Sequence, residues 1–353
     1  MTQLVVTQPS STVAKGDMEV DERMLYPSFC GIVTFLRAPY ARISEVNPGD
    51  YVIAGAPYDV TIGSRPGARY APNAIREQTV HFIYHLTAID HEVIDVCTGK
   101  RLSSPPKDTV KDVGDLRVYP TNVPRTTDSI AAGISEITAL GATPVTLGGD
   151  HYVTYPAVKG FEDGLKKRLG RNVTIGYIHI DSHMDFYDNP DAMGKYYHGS
   201  TARRVSELES VHLNNMVWVG LNGTTGLESY NCAKQGGGTL FTIQDIRREG
   251  MTAVMRKAVA IASRGCDAIY VTIDIDVVDQ AYACGTGCFV YGGITSVELL
   301  EAADVLSVTP AVGAIDVVEV SPVLDPSGNT AHLAATALIN FLKPRIFDVK
   351  PEA

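Results

Sequence analysis

Three apolar runs in this chain each stop at a cluster of metal-ligand side chains, and that coincidence constrains the fold more than any other feature. Val145-Thr146-Leu147 runs into Gly148-Gly149-Asp150-His151, Tyr177 to Ile180 into Asp181-Ser182-His183-Met184-Asp185, and Val271-Thr272-Ile273 into Asp274-Ile275-Asp276. In open α/β sheets, ligands bind beyond the carboxyl ends of the strands. Three strands that bring carboxylates and imidazoles to one edge therefore predict a parallel sheet with a single site at its carboxyl rim. The rest of the chain fits this frame. Residues 51–56, 142–147, 172–180, 215–221, 268–273 and 314–318 read as strands, and 128–140, 251–263 and 331–342 as helices, with Asp128 expected as an N-cap. Short strands alternating with helices imply a sheet covered on both faces.

The clusters carry a definite chemistry. Alternation along an extended chain puts Asp181, His183 and Asp185 on one side, and Asp274 and Asp276 on a shared face. Gly148 and Gly149 allow a tight turn that lets His151 point back to the site, while Asp150 is expected to orient a ligand from behind. Four Asp carboxylates and two His imidazoles result. Hard oxygens with imidazole nitrogens suit a pair of divalent first-row cations. Two such cations close together can turn a water into a hydroxide near neutral pH, which points to a metallohydrolase.

Composition narrows the setting. With 353 residues, 45% of them hydrophobic, the chain can bury the core of one large α/β domain, and no linker interrupts residues 30–350. A formal net charge of −10 disfavours a nucleic-acid partner. No run of ~18 apolar residues predicts a transmembrane helix, so no membrane partner is expected. Residues 1–20 lack the apolar core of a secretory signal. The cysteines at 30, 97, 232, 266, 284 and 288 form no C-x-x-C pair, so reduced thiols and a cytoplasmic location are expected. Cys284 and Cys288 read as small apolar residues.

The flanks of the clusters sharpen the picture. Phe29-Cys30-Gly31-Ile32-Val33-Thr34-Phe35, the stretch from Ser64 to Arg76, Asp112-Val113-Gly114-Asp115, His198-Gly199 and Glu319-Val320-Ser321-Pro322 accompany the three metal segments. Together they resemble the ureohydrolase superfamily of arginases and agmatinases, and the agmatinase branch in particular, over nearly the whole chain from about Ser28. The resemblance implies an arginase-like three-layer α/β/α sandwich around a mainly parallel sheet of eight strands. It implies residues 1–27 as an N-terminal extension and 28–353 as a single catalytic domain. It implies two divalent ions, Mn²⁺ or Ni²⁺, one held by His151, Asp181, Asp185 and Asp274 and the other by Asp181, His183, Asp274 and Asp276. The catalytic residues would be His198, Glu319 and Asp276. Glu319 follows a strand and can hold a planar, permanently charged guanidinium by paired hydrogen bonds. His198 can pass a proton to the leaving amine. The products would be urea, or a urea-like compound, and an amine. A homo-oligomer, trimer or hexamer, is implied, and a hetero-oligomer with a paralogous subunit is the variant to weigh.

The sequence also departs from that family. After Asp276 the chain reads Asp279-Gln280-Ala281-Tyr282-Ala283-Cys284-Gly285-Thr286-Gly287-Cys288-Phe289-Val290-Tyr291, where agmatinases carry prolines and an acidic P-E-P triplet. Ser200-Thr201-Ala202 replaces a T-P-F type run, and Gly63 stands where Asn is usual. Phe289 and Tyr291 are expected either to meet a compact or methylated guanidine through aromatic cation contacts or to pack against a neighbouring subunit away from substrate. Free guanidine and biguanides such as metformin, hydrolysed to guanylurea and dimethylamine, are the expected small cationic substrates. A standard agmatinase or guanidinobutyrase is the alternative within the class. A non-catalytic subunit would have no need of the complete ligand set. A single-zinc deacetylase of related fold would not need His183.

Overall fold

A computed structural model describes residues 29–82, 92–103 and 109–350, together with the backbone of the paired strands Ala14–Lys15 and Met18–Glu19. Apart from those two strands, the expected extension over residues 1–27 lies outside the described residues. The central sheet has eight strands: β1 Tyr51–Gly55, β2 Val110–Asp115, β3 Thr143–Leu147, β4 Ile175–Ile180, β5 Val211–Leu221, β6 Thr239–Thr242, β7 Ala268–Asp274 and β8 Val312–Val318. Their order is β6-β5-β4-β7-β8-β3-β1-β2, and every neighbouring pair is parallel. A parallel sheet needs helical crossovers, which cover both faces and make its strands apolar on both sides. Accordingly β4 and β7 are buried at every residue.

Helices α1 Ala71–Thr79, α2 Val123–Ala139, α3 Thr154–Leu169, α4 Thr201–Val205, α5 Leu227–Gln235, α6 Ile243–Glu249, α7 Met251–Ala262, α8 Ser296–Ser307 and α9 Asn329–Ile346 form the outer layers. The apolar faces of α2 to α5 share one core with Tyr177, Trp218 and Tyr270 of the sheet. Those of α1 and α6 to α9 share the other core with Ile178, Ile180, Val217, Val219, Val271 and Ile273. Alternate strand residues thus feed opposite cores, which gives the three-layer α/β/α sandwich. A small antiparallel sheet of Glu92–Asp95, Lys100–Ser103 and Val349–Lys350 lies apart from the central one.

One local reading changes. The helix expected from Asp128 begins at Val123, and its N-cap is Asn122, whose side chain accepts from the Arg125 N–H. Pro124 sits in the first turn, where no intrahelical N–H is needed. Strand β2 is held to α1 by Arg76, which donates Nε and Nη2 to the Asp112 carboxylate at 2.9 and 3.0 Å and Nη1 to Asp115 at 2.6 Å. The Arg76 and Asp112–Asp115 stretches, distant in sequence, therefore form one ion-pair unit, buried at Asp112 and open to solvent at Asp115.

Candidate metal centre

The carboxyl ends of β3, β4, β7 and β8 meet at one point of the rim. After β3, a side chain on Gly149 would place its Cβ 1.9 Å from the Tyr58 carbonyl oxygen, so only glycine fits this turn. The turn delivers His151, which is fully buried, to the centre of the sheet edge. After β4, Asp181 and Asp185 follow, Asp185 with φ +45°. After β8, Glu319 has φ +62°. Non-glycine residues held in this region store strain, and both belong to the predicted site.

The predicted ligands converge in two groups. His151 Nδ1 lies 3.2 Å from Asp181 Oδ2, 3.1 Å from Asp185 Oδ2 and 2.9 Å from Asp274 Oδ2. His183 Nδ1 lies 3.4 Å from Asp181 Oδ1 and 3.1 Å from Asp276 Oδ2. Asp181 thus turns one oxygen to each group. Asp274 Oδ1 accepts the Asp276 N–H at 2.9 Å. His151 Nδ1 and Asp276 Oδ1 are buried and have no hydrogen-bond partner. Burial and then the charge of Asp181 push Asp274 up to about 7. Burial and then Asp274 push Asp276 well above the ordinary carboxylate range. Burial works against a charge on His151, but the surrounding carboxylates hold its pKa well above the usual imidazole value. Buried carboxylates packed this closely, with unpartnered nitrogen and oxygen atoms facing each other, fit divalent cations by donor type and by charge.

His198 and Glu319 stand beside this cluster, with His198 Nδ1 3.5 Å from Glu319 Oε1. Glu319 Oε1 also accepts the His151 backbone N–H at 2.9 Å, and Oε2 is buried without a partner. Burial opposes a charge on His198, but Glu319, with Asp185 and Asp150, overcomes it and lifts the pKa to about 9. Asp150 bonds Thr61 rather than a cluster side chain: its Oδ2 accepts from Thr61 N at 3.0 Å and Thr61 Oγ1 at 2.6 Å, and Thr61 O accepts the His198 N–H at 3.2 Å. A Cβ at Gly63 would come within 2.9 Å of Met193 Cε and 3.3 Å of His198 Nε2, so the glycine lets both side chains pack close.

A cavity of about 560 Å³ opens over the cluster. His183, Asp185, His198, Asp274 and Asp276 line its floor, and Tyr187, Tyr197, Tyr230, Asn222, Gln244 and Cys288 its walls. Glu319 lies behind the lining rather than on it. Phe289 and Tyr291 do not border the cavity. Phe289 packs edge-on against Tyr291, ring centroids 5.6 Å apart, and takes its cation from within, the Arg65 guanidinium lying 5.2 Å from its ring. The Tyr291 carbonyl accepts from Asn222 Nδ2 at 2.9 Å, so the altered loop braces the rim through its backbone. The aromatic walls come instead from Tyr187, Tyr197 and Tyr230. Ser200, Thr201 and Ala202 are fully buried at the start of α4 and form core. His179 is a site residue that the sequence reading missed. Its parity with Asp181, His183 and Asp185 was the available signal.

The Arginase family model matches residues 49–343. The mitochondrial guanidino acid hydrolase of Homo sapiens is 32% identical over 315 residues, 88% of this chain and 82% of the relative. The guanidinobutyrase of Pseudomonas aeruginosa is 30% identical over 321 residues, 90% of this chain and 93% of the relative. Among solved structures, the proclavaminate amidinohydrolase of Streptomyces clavuligerus superimposes with a TM-score of 0.75 at 27% identity, covering 91% of this chain and all of its own.

Proposed function

Because the chain belongs to the arginase family of hydrolases, we propose that it cleaves a C–N bond in a small guanidine-type cation whose remaining part carries no charge. One observation carries this reading. Among the described residues, the cavity lining has no Lys or Arg, and its only carboxylates are Asp185, Asp274 and Asp276 of the cluster itself. A guanidino acid brings a distal carboxylate and agmatine a distal ammonium, and neither would meet a counter-charge on these walls. The rings of Tyr187, Tyr197 and Tyr230 attract a delocalised cation and tolerate methyl groups. Free guanidine and biguanides such as metformin fit that chemistry.

His151, Asp181, Asp185 and Asp274 would hold one divalent ion, and Asp181, His183, Asp274 and Asp276 a second, Mn²⁺ or Ni²⁺. When bound, such ions supply Lewis acidity and lower the pKa of water at the site. The chain's own residues do the rest. Glu319 sits behind the cavity lining, and its unpartnered Oε2 would accept a guanidinium N–H from a substrate that reaches past the lining, which would fix the plane of the cation. Protonated His198, on the same side as Glu319, hands its proton to the departing nitrogen. The products are urea or a urea-like compound and an amine, which from metformin are guanylurea and dimethylamine.

Residues 28–353 act as one catalytic domain, with 1–27 as an extension. The six free thiols suit a reducing compartment, so we place the protein in the cytoplasm. No helix among the described residues is long and apolar enough to cross a membrane. Phe29 and Ile32 are 88% and 79% exposed, a surface that further subunits of a homo-oligomer would cover. The test is a substrate panel on the purified chain loaded with Mn²⁺ or with Ni²⁺. The expected result is a higher kcat/KM for guanidine or metformin than for agmatine and guanidinobutyrate. Preference for either charged-tail compound would overturn the reading, and no turnover with any of them would favour a non-catalytic subunit.

A further inference from the structure

Tyr177 and His179 of β4 and Asp181, the residue just past its end, are three polar side chains on one face, and all are fully buried. His179 Nε2 lies 2.8 Å from Asp181 Oδ2, and His179 Nδ1 lies 3.0 Å from the Tyr177 hydroxyl. An ionised carboxylate can only accept, so the network assigns the His179 proton to Nε2 and leaves Nδ1 to accept from Tyr177. Burial holds the Tyr177 hydroxyl well above its usual pKa, so it stays a donor. The His179 ring is also fixed in space. It stacks on His151 with centroids 4.7 Å apart and planes within 5°, and the Tyr177 and Trp218 rings lie beside it at 5.7 and 6.1 Å.

The consequence falls on Asp181. Its Oδ2 is taken by His179 on the side facing His151, and its Oδ1 accepts the His183 backbone N–H at 2.6 Å on the side facing His183. Both oxygens are therefore pinned, and the carboxylate plane points one oxygen into each ligand group. A metal-facing carboxylate held from behind by a buried imidazole is the arrangement that tunes and orients a ligand. His151 is held in the same way. Its Nε2 lies 3.1 Å from the Thr272 hydroxyl, and Thr272 pairs in register with both His179 and Asp316. His179, Thr272, Asp316 and Thr146 thus form a buried polar row across four adjacent strands, one step inside the ligand ends.

We propose that His179, fixed by Tyr177, is a positioning residue that sets the Asp181 carboxylate to be shared between two cations; the proposal rests on reading the cluster as a metal centre. A buried polar pair with no such role would contribute to folding alone, and its removal would leave cation affinity unchanged. The test is titration of Mn²⁺ onto metal-free protein, followed by the free-ion electron paramagnetic resonance signal, with thermal melting of the metal-free chain in parallel. His179→Phe should weaken Mn²⁺ binding by about 10- to 100-fold, including at temperatures where the metal-free variant remains folded. His179→Gln, which restores a donor, should recover part of the loss. Tyr177→Phe, which removes only the hydroxyl and preserves the ring, should weaken binding in the same direction by less. Wild-type Mn²⁺ affinity in both His179→Phe and Tyr177→Phe would overturn the proposal, as would weakening that tracks lost folding and that His179→Gln does not relieve. Failure of the wild-type chain itself to bind Mn²⁺ would overturn the metal-centre reading first, and this proposal with it.

Discussion

Replacing Glu319 with Gln isolates one charge at the centre of the proposed chemistry. The amide keeps an oxygen to accept the His151 N–H that Glu319 Oε1 now takes at 2.9 Å, and it keeps the volume. What disappears is the negative charge behind the unpartnered Oε2 and beside His198 Nδ1 at 3.5 Å. A hydrogen bond to a charged partner contributes about 1.5–3 kcal/mol, so losing that charge should lower kcat/KM by roughly 10- to 150-fold. A second effect is separable. Glu319 is the main group that lifts His198 to about 9 against its burial. As a proton donor, His198 works in the protonated form, which persists below its pKa and is lost as pH rises through it. The alkaline limb of the wild-type profile should therefore fall near pH 9 and move to lower pH in Glu319→Gln. Initial rates of amine release from mildly acidic to alkaline pH, beside thermal melts, give both readouts. An unchanged kcat/KM at neutral pH, or an alkaline limb that stays in place, would refute the assignment of these two residues.

Arg76→Met would strand the buried Asp112 carboxylate and should cost about 3–5 kcal/mol, read as a lower urea midpoint; an unchanged midpoint would mean that the pair does not hold α1 to the sheet. Gly149→Ala forces its Cβ against the Tyr58 carbonyl oxygen, so the turn must shift and carry His151 away from the Asp cluster. Elemental analysis should then find less metal per chain than in the wild type, and full metal content would contradict that role for the turn. Burial pushes the Cys288 thiol up to about 11, so iodoacetamide at neutral pH should label the exposed Cys97 and Cys284 before Cys288. Peptide mass spectrometry that found Cys288 modified first would contradict the environment described for it.

The central strands and the ligand clusters were legible in the sequence for a common reason. β4 and β7 are buried on both faces, so they read as nearly unbroken apolar runs, and the Asp and His clusters begin where those strands end, themselves still buried. Helix α3 was not legible, because Gly160 and Gly164 interrupt its pattern. Those glycines serve packing: a Cβ at Gly160 would lie 2.3 Å from the Ala131 carbonyl of α2. β6 at the sheet edge is short and only half-buried, with no alternation to mark it. His179 was passed over because a buried histidine between isoleucines looks like strand filler, and its role shows only when Tyr177 and Asp181 are seen on the same face. The aromatic contribution of Phe289 and Tyr291 was misplaced because a loop sequence does not say which way its rings turn. Arg65, far away in the chain, claims Phe289, while Tyr230 reaches the cavity from α5 with no local signal at all.

The most direct test of the paired metal centre is anomalous diffraction from crystals of the chain loaded with Mn²⁺. Two peaks are predicted, one bounded by His151, Asp181, Asp185 and Asp274, the other by Asp181, His183, Asp274 and Asp276, with Asp181 and Asp274 between them. A single peak, or density placed away from these side chains, would contradict it.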